Sequence, residues 1–120
     1  MAFDQHEFTS GLLSSATGLS DTGYVYIPSS CQTDNGCRVH VVFHGCLQSA
    51  TMLNETFVRH TGYNGWAEAN NIVILYPQTT ATVLNPKACF DWWGYTGPAY
   101  ASKIGLQNAA VMKMVHRLSS

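Results

Sequence analysis

The stretch best suited to chemistry is VVFHGCLQ, residues 41–48. Its apolar, β-branched start is typical of a buried strand, and this strand leads directly into His44 and Gly45. A glycine lets the backbone turn sharply, so that the next N–H, that of Cys46, can point at a substrate carbonyl and stabilise an oxyanion. His44 would then brace the loop through hydrogen bonds. The alternative is a tight strand-to-helix turn containing a hydrogen-bonded histidine.

The four cysteines, Cys31, Cys37, Cys46 and Cys89, are the second chemical feature. An even number of cysteines in a chain of low charge favours two disulfides. Zinc is the competing reading, but the spacing contains no C-x-x-C pair, so no metal site is predicted. Cys31 and Cys37 enclose a short turn that can bring their Cα atoms within the roughly 4.4–6.8 Å a disulfide needs. Cys46 then pairs with Cys89 by elimination, and four reduced cysteines are the alternative.

The sequence contains no G-x-S-x-G motif, in which a serine nucleophile is exposed on a strand-turn-helix elbow. Candidate bases and orienting carboxylates are present, but none has that context: His6, His40, His60, His116, Asp21, Asp34 and Asp91. His40 is predicted to be a packed core histidine within a strand. Asp91 is expected to hold its own loop through hydrogen bonds and not to act in a triad.

Composition excludes several classes of function. With 120 residues and 46% hydrophobic residues, the chain is predicted to fold as one domain or part of one. A net charge of -1 leaves no basic surface for nucleic acid or an anionic membrane. The longest apolar run, Ile72–Tyr76, is far shorter than the roughly 20 residues of a transmembrane helix. The polar amino terminus does not read as a signal peptide, although low charge and paired cysteines indicate a secreted protein.

The elements that position these residues follow an α/β order. Residues 1–22 read as a loop-rich lead-in. Strands are predicted at 24–27, 38–43 and 72–76, and helices at 49–60, 66–69 and 103–118. The last two strands read as central strands that are covered on both faces. Residues 78–102 form a loop too long to be a passive connector.

Several segments together resemble one family. FHGCLQ (43–48), GWAEANNIVILYPQ (65–78), CFDWWGYTG (89–97) and the final helix are similar to the carboxy-terminal half of extracellular poly(3-hydroxybutyrate) (PHB) depolymerases. These are polyester-cleaving serine esterases of the α/β-hydrolase superfamily, and the resemblance covers roughly residues 20–118. The missing serine elbow is the main departure. In ordinary relatives the elbow would follow the final helix. The Ser-Ser ending and the YTGPAYA segment favour the circularly permuted branch, in which the half that carries the triad precedes this one.

The resemblance implies a fold and an activity. The expected fold is a partial α/β-hydrolase-like sheet in three layers (α/β/α), lacking the nucleophile-elbow half. Residues 23–120 would form a half-domain with an oxyanion loop, an aromatic substrate loop and the final helix. The expected activity is hydrolysis of polyester or carboxylic ester bonds, with the Cys46 N–H in the oxyanion hole. Gly45 and His44 would support that loop.

Substrate and partners follow from the same resemblance. Trp92, Trp93 and Tyr95 would line the cleft for an apolar polyester or a short-chain ester, although a core role is the alternative for at least one tryptophan. The partner would be the triad-bearing half of the hydrolase, and no cofactor, metal, nucleic acid or membrane is expected. The alternative function is a non-catalytic fragment that folds and binds apolar polymer or a partner chain.

Overall fold

The computed structural model describes residues 1–12, 14–32, 37–46, 63–82, 84–91, 93–102 and 105–119. The strands in this part of the chain are β1 (Ala2–Asp4), β2 (Thr22–Tyr26), β3 (Arg38–Val41) and β4 (Ile72–Tyr76). The α-helices are α1 (Ser14–Thr17), α2 (Tyr63–Asn70) and α3 (Leu106–Ser119). Two short 3-10 helices span Gln5–Phe8 and Ser29–Cys31.

These strands form one mixed sheet in the order β1-β2-β4-β3. β2 runs antiparallel to both β1 and β4, whereas β3 runs parallel to β4. All five residues of β4 are buried, as the uninterrupted apolar run predicts for a strand with neighbours on both sides. The predicted central strand at 72–76 is therefore confirmed.

The two faces of β4 contact different helices because successive side chains of a strand point to opposite faces. Ile74 and Tyr76 pack in a buried cluster with Ala67 of α2. Leu75 packs in another cluster with Met114 of α3. The expected α/β architecture is thus present.

Helix α3 follows from a periodic apolar stripe. Its buried side chains recur at helical spacing, at Gln107, Ala110, Val111 and Met114. His116 and Arg117 lie in its last turn, where positive charge interacts favourably with the helix dipole. The helix predicted at 103–118 is confirmed, with its first turn at Leu106.

The loop-rich lead-in was a wrong expectation for part of residues 1–22, which contribute a fourth strand, β1. The fully buried Gln5 fixes this segment to the sheet. Its amide nitrogen donates to the carbonyls of Ser20 and Gln78 at 2.7 and 2.9 Å, and its amide oxygen accepts from the Gln78 N–H at 2.9 Å. Three residues are too short to show an alternating pattern, so only pairing with β2 reveals β1.

The expectation that residues 38–43 form a covered central strand was also wrong. β3 ends at Val41 and occupies one end of the strand order, where Arg38 and His40 are exposed. His40 is therefore not a core histidine: its ring stacks on Tyr63 and lies edge-on to Trp66 of α2, at 5.7 and 5.6 Å between centroids. The helix predicted at 49–60 lies outside the described residues.

Candidate functional site

The candidate site lies where the parallel strands β3 and β4 end. The chain that leaves β3 carries His44, Gly45 and Cys46, and the chain that leaves β4 carries Thr79. Parallel strands bring their carboxyl ends to the same edge of a sheet, which is the usual place for ligand sites in open α/β folds. The predicted oxyanion loop therefore stands beside the first residues of the long loop at 78–102.

His44 is held between these two loops. Its side chain is only 4% exposed, and its Nε2 accepts a hydrogen bond from the Thr79 N–H at 3.2 Å. Because a backbone amide can only donate, Nε2 must be unprotonated, so Nδ1 carries the proton and donates to the Gly45 carbonyl at 2.7 Å. Burial lowers the pKa of His44, and the bond to Gly45 opposes that effect only in part. A neutral imidazole with both nitrogens in use braces the loop and does not serve as a general base.

A disulfide joins the oxyanion loop to the aromatic segment. Cys46 is bonded to Cys89, and Cys31 to Cys37, which is the predicted pairing. Cys46 itself is exposed, and among the described residues no hydrogen bond from its N–H is found. Cys46, whose N–H is predicted to donate to an oxyanion, is thus anchored through its side chain at an exposed position.

Asp91 organises the aromatic segment, defined here as residues 89–96. One carboxylate oxygen accepts from the N–H groups of Trp93, Gly94 and Tyr95 at 3.1, 2.6 and 3.1 Å. The other accepts from the N–H of Thr96 at 2.9 Å and from its hydroxyl. Burial acts to raise the pKa of Asp91, but these hydrogen bonds together outweigh burial, so the pKa lies below its ordinary value. The bond from the Thr96 hydroxyl contributes most to that lowering. Asp91 thus has the structural role expected from the sequence.

The predicted substrate-binding aromatics have different environments. Trp93 is 43% exposed and packs at 4.9 Å against the ring of Tyr95. The Tyr95 hydroxyl donates to the Cys89 carbonyl at 2.7 Å, so its polar end is used within the protein. Trp92 lies outside the described residues. Among the described residues of the predicted aromatic wall, Trp93 is exposed and Tyr95 is partly buried.

The structure adds two aromatic rings that the sequence did not single out. Phe43 is 54% exposed and lies edge-on to Phe90 at 4.9 Å. The Phe90 ring in turn lies 4.8 Å from His44. An exposed phenylalanine just before His-Gly could have been suspected, whereas Phe90 reaches this loop from a distant segment, next to the Cys46–Cys89 bond.

Three buried polar residues were also not singled out as site residues. Thr79, Asn85 and Gln107 each connect loop segments through hydrogen bonds and are almost fully buried. A threonine three residues beyond a buried strand is a weak signal for such a role. Gln107 acquires its role from contacts with distant segments, and Asn85 from two hydrogen bonds to Cys89 within its own loop.

The described residues show neither a metal centre nor a membrane-spanning helix. No three His, Cys, Asp or Glu side chains among them are grouped so that they could hold a metal ion. No helix in the same ranges has the length and apolar character that crossing a membrane requires.

Known proteins resemble this chain over nearly its whole length. It is 45% identical to a poly(3-hydroxybutyrate) depolymerase of Delftia acidovorans and 38% identical to a polyhydroxybutyrate depolymerase of Talaromyces funiculosus. These alignments cover 98% and 88% of this chain but 23% and 34% of the relatives. No protein-family model matches the chain.

Two solved structures have the same fold over 99% of this chain, with a TM-score of 0.88 and 35% identity for each. One is a PHB depolymerase from Penicillium funiculosum, and the other is a serine-to-alanine variant of PHB depolymerase in complex with an R3HB trimer. This chain covers 40% of each. The resemblance found in the sequence is thus confirmed: the homologues and structural neighbours are PHB depolymerases, and this chain corresponds to part of their length.

Proposed function

We propose that this chain is the part of a serine esterase, similar to PHB depolymerases, that supplies one oxyanion-hole donor and an aromatic substrate surface for polyester hydrolysis. The observation that carries the proposal is the anchoring of the Gly45–Cys46 turn. That turn leaves the edge strand β3, is bonded to the loop after β4 through His44 and is tied to the aromatic segment by Cys46–Cys89. An amide aimed at developing charge needs such fixed surroundings.

The chemistry divides between this chain and the rest of the hydrolase. A serine on the triad-bearing part would attack the ester carbonyl, and the carbonyl oxygen would become an oxyanion in the tetrahedral intermediate. The Cys46 N–H would donate to that oxygen. Losing one such donor typically lowers kcat by about 10²–10³-fold, so this chain would matter to the rate without carrying the nucleophile.

The substrate surface is proposed to consist of exposed rings next to that donor. Trp93 and Phe43 are both largely exposed, and their neighbours Phe90 and Tyr95 belong to the segment linked to Cys46. Trp92 is proposed to contribute on the strength of the resemblance alone. A polyester chain offers apolar surface and few hydrogen-bond donors, which suits rings better than charged groups.

The same proposal includes an α/β-hydrolase type of layering and secretion of the protein. β4, packed against α2 on one face and α3 on the other, supports a three-layer arrangement of the α/β-hydrolase type. Two disulfides in a chain with 11% charged residues support secretion into an oxidising compartment.

A hybrid enzyme tests the proposal. This chain replaces the matching segment of the Talaromyces funiculosus depolymerase, and hydrolysis of p-nitrophenyl butyrate and of PHB is measured. In this hybrid, Cys46→Pro with Cys89→Ala removes both the amide proton and the disulfide, whereas Cys46→Ala with Cys89→Ala removes the disulfide alone. We expect kcat of the proline variant to be about 10²–10³-fold below that of the alanine variant. Equal rates in two folded variants would refute the role of the Cys46 N–H.

A second candidate is a non-catalytic module that binds apolar polymer, which the exposure of Trp93 favours. The hybrid enzyme separates the two. An active hybrid whose rate depends on the Cys46 N–H would exclude the non-catalytic module. Retention on PHB together with an inactive hybrid would favour it.

A further inference from the structure

The two loops joined by the Cys46–Cys89 disulfide share a second connection through Thr79. This residue is fully buried, and its N–H donates to Nε2 of His44 at 3.2 Å. Its hydroxyl donates to the Ala88 carbonyl at 2.5 Å, one residue before the disulfide. Thr79 thus bonds to the oxyanion loop on one side and to the Cys89 segment on the other.

The Cys89 side of this connection is held firmly. Asn85, also fully buried, donates to the Cys89 carbonyl at 2.7 Å and accepts from the Cys89 N–H at 3.0 Å. Ala88 has a φ of 53°, in the left-handed region that residues with a Cβ atom seldom adopt. Such a conformation persists only where surrounding contacts determine it. The Ala88 carbonyl therefore gives the Thr79 hydroxyl a fixed acceptor.

We propose that Thr79 is a positioning residue that fixes the oxyanion loop against the Cys89 segment in parallel with the disulfide, so that the loop keeps its shape when the disulfide is reduced. Each connection limits how far the two segments of the chain can move apart, so one can hold them when the other is lost. Such a limit matters because a donor in an oxyanion hole needs placement to within about 0.5 Å. The catalytic consequence rests on the proposed function, whereas the positioning itself does not.

Amide hydrogen exchange of the 120-residue chain tests the positioning. The reporters are the N–H groups of Thr79 and Cys89, which are bonded to His44 and Asn85. Thr79→Val keeps the shape of the side chain but leaves the Ala88 carbonyl without its donor, and Thr79→Ser restores the hydroxyl. Amides of β4 serve as the internal control, because their exchange reports opening of the central strand.

Reduction of the disulfide alone should leave both reporter amides protected in the wild-type chain and in Thr79→Ser. In reduced Thr79→Val we expect both to exchange about 5- to 100-fold faster, relative to the β4 amides. That increase should exceed the product of the separate effects of substitution and reduction, because either connection alone suffices. Equal exchange in the valine and serine variants would overturn the proposal. So would full loss of protection on reduction of the wild type.

The hybrid enzyme then tests the catalytic consequence. Reduced Thr79→Val should lose kcat with little change in KM, and Thr79→Ser should recover it, since a displaced donor weakens transition-state binding. An effect on exchange without an effect on kcat would leave the positioning intact and contradict the oxyanion role of Cys46. If reduced Thr79→Val shows wild-type amide exchange while the hybrid is active, the positioning role of Thr79 is refuted instead.

Discussion

Nε2 of Gln107 lies 2.6 Å from the phenol oxygen of Tyr95 and donates a hydrogen bond to it. The same amide nitrogen donates to the Thr17 carbonyl at 2.8 Å, and its oxygen accepts from the Asp91 N–H at 2.7 Å. One buried side chain of α3 therefore fixes the aromatic segment at two points. The segment is therefore hydrogen-bonded to α3 on both sides of the exposed Trp93.

This relationship makes Tyr95 a stabilising residue. Tyr95→Phe removes the hydroxyl that donates to the Cys89 carbonyl and accepts from Gln107, and both partners are left with fewer hydrogen bonds. We expect the free energy of unfolding to fall by about 1–2 kcal/mol, measured by urea titration. Tyr100→Phe is the matched control, since no hydrogen bond of its hydroxyl is found among the described residues, and it should change little. Equal losses in the two variants would contradict the role of Tyr95.

Asp91 should contribute stability that depends on pH. Its folded-state pKa is lowered, so its contribution is present above the unfolded value of about 3.9 and is lost as the pH falls through the folded value. Asp91→Asn should lower the free energy of unfolding at pH 7 by about 1–3 kcal/mol, because charge-assisted hydrogen bonds to the carboxylate are lost.

Urea titrations at pH 7 and pH 3 check this, and the gap between wild type and Asp91→Asn should narrow at pH 3. Asp21→Asn is the control, because Asp21 forms an exposed pair with His6 that is worth little. A gap that is independent of pH would show that the charge of Asp91 is not the cause.

His44 should make the fold sensitive to mild acid. Because burial lowers its folded-state pKa, the unfolded chain takes up a proton at His44 from about pH 6.5 downward while the folded chain does not. Stability should therefore fall as the pH drops from about 6.5 toward the folded pKa, by at most about 1.4 kcal/mol for each pH unit.

His44→Gln keeps an acceptor for the Thr79 N–H but cannot titrate, so its stability should vary less between pH 7.5 and pH 5. Urea titration at both values measures the difference. His116→Gln, at an exposed position on α3, should keep the wild-type loss. Identical acid sensitivity in His44→Gln and the wild type would refute the assignment.

Trp93 and Trp66 offer a matched pair for polymer binding. They are 43% and 45% exposed, but Trp93 lies in the aromatic segment and Trp66 lies on α2 beside His40. Trp93→Ala should weaken retention on PHB granules about tenfold, because an exposed ring loses its apolar contact area, while Trp66→Ala should retain binding. Depletion of the chain from solution by granules measures both. A larger loss of retention for Trp66→Ala than for Trp93→Ala would indicate that the polymer binds at α2 and not at the aromatic segment.

The sequence by itself determined the elements whose apolar pattern is either uninterrupted or repeated over several turns. The apolar run Ile72–Tyr76 has no polar residue to face solvent, so it could only be a covered strand. The stripe along α3 repeats over several turns, which makes a helical period unambiguous. The cysteine pairing could be predicted because the short turn between Cys31 and Cys37 can bring their Cα atoms close together, which leaves Cys46 and Cys89 as the other pair. Neighbours in sequence carry each of these signals.

Only the tertiary structure decided the rest, because contacts between distant residues set it. β1 pairs with β2 with Phe3 opposite Gly23, where a Cβ atom would lie 2.7 Å from the Phe3 ring. The place of β3 at one end of the strand order, where Arg38 and His40 are exposed, was likewise set by the fold. Thr79 reaches His44 across 35 residues of chain, and Gln107 reaches Thr17 across 90. A buried polar side chain takes the partner that the fold brings to it, and no local period encodes that partner.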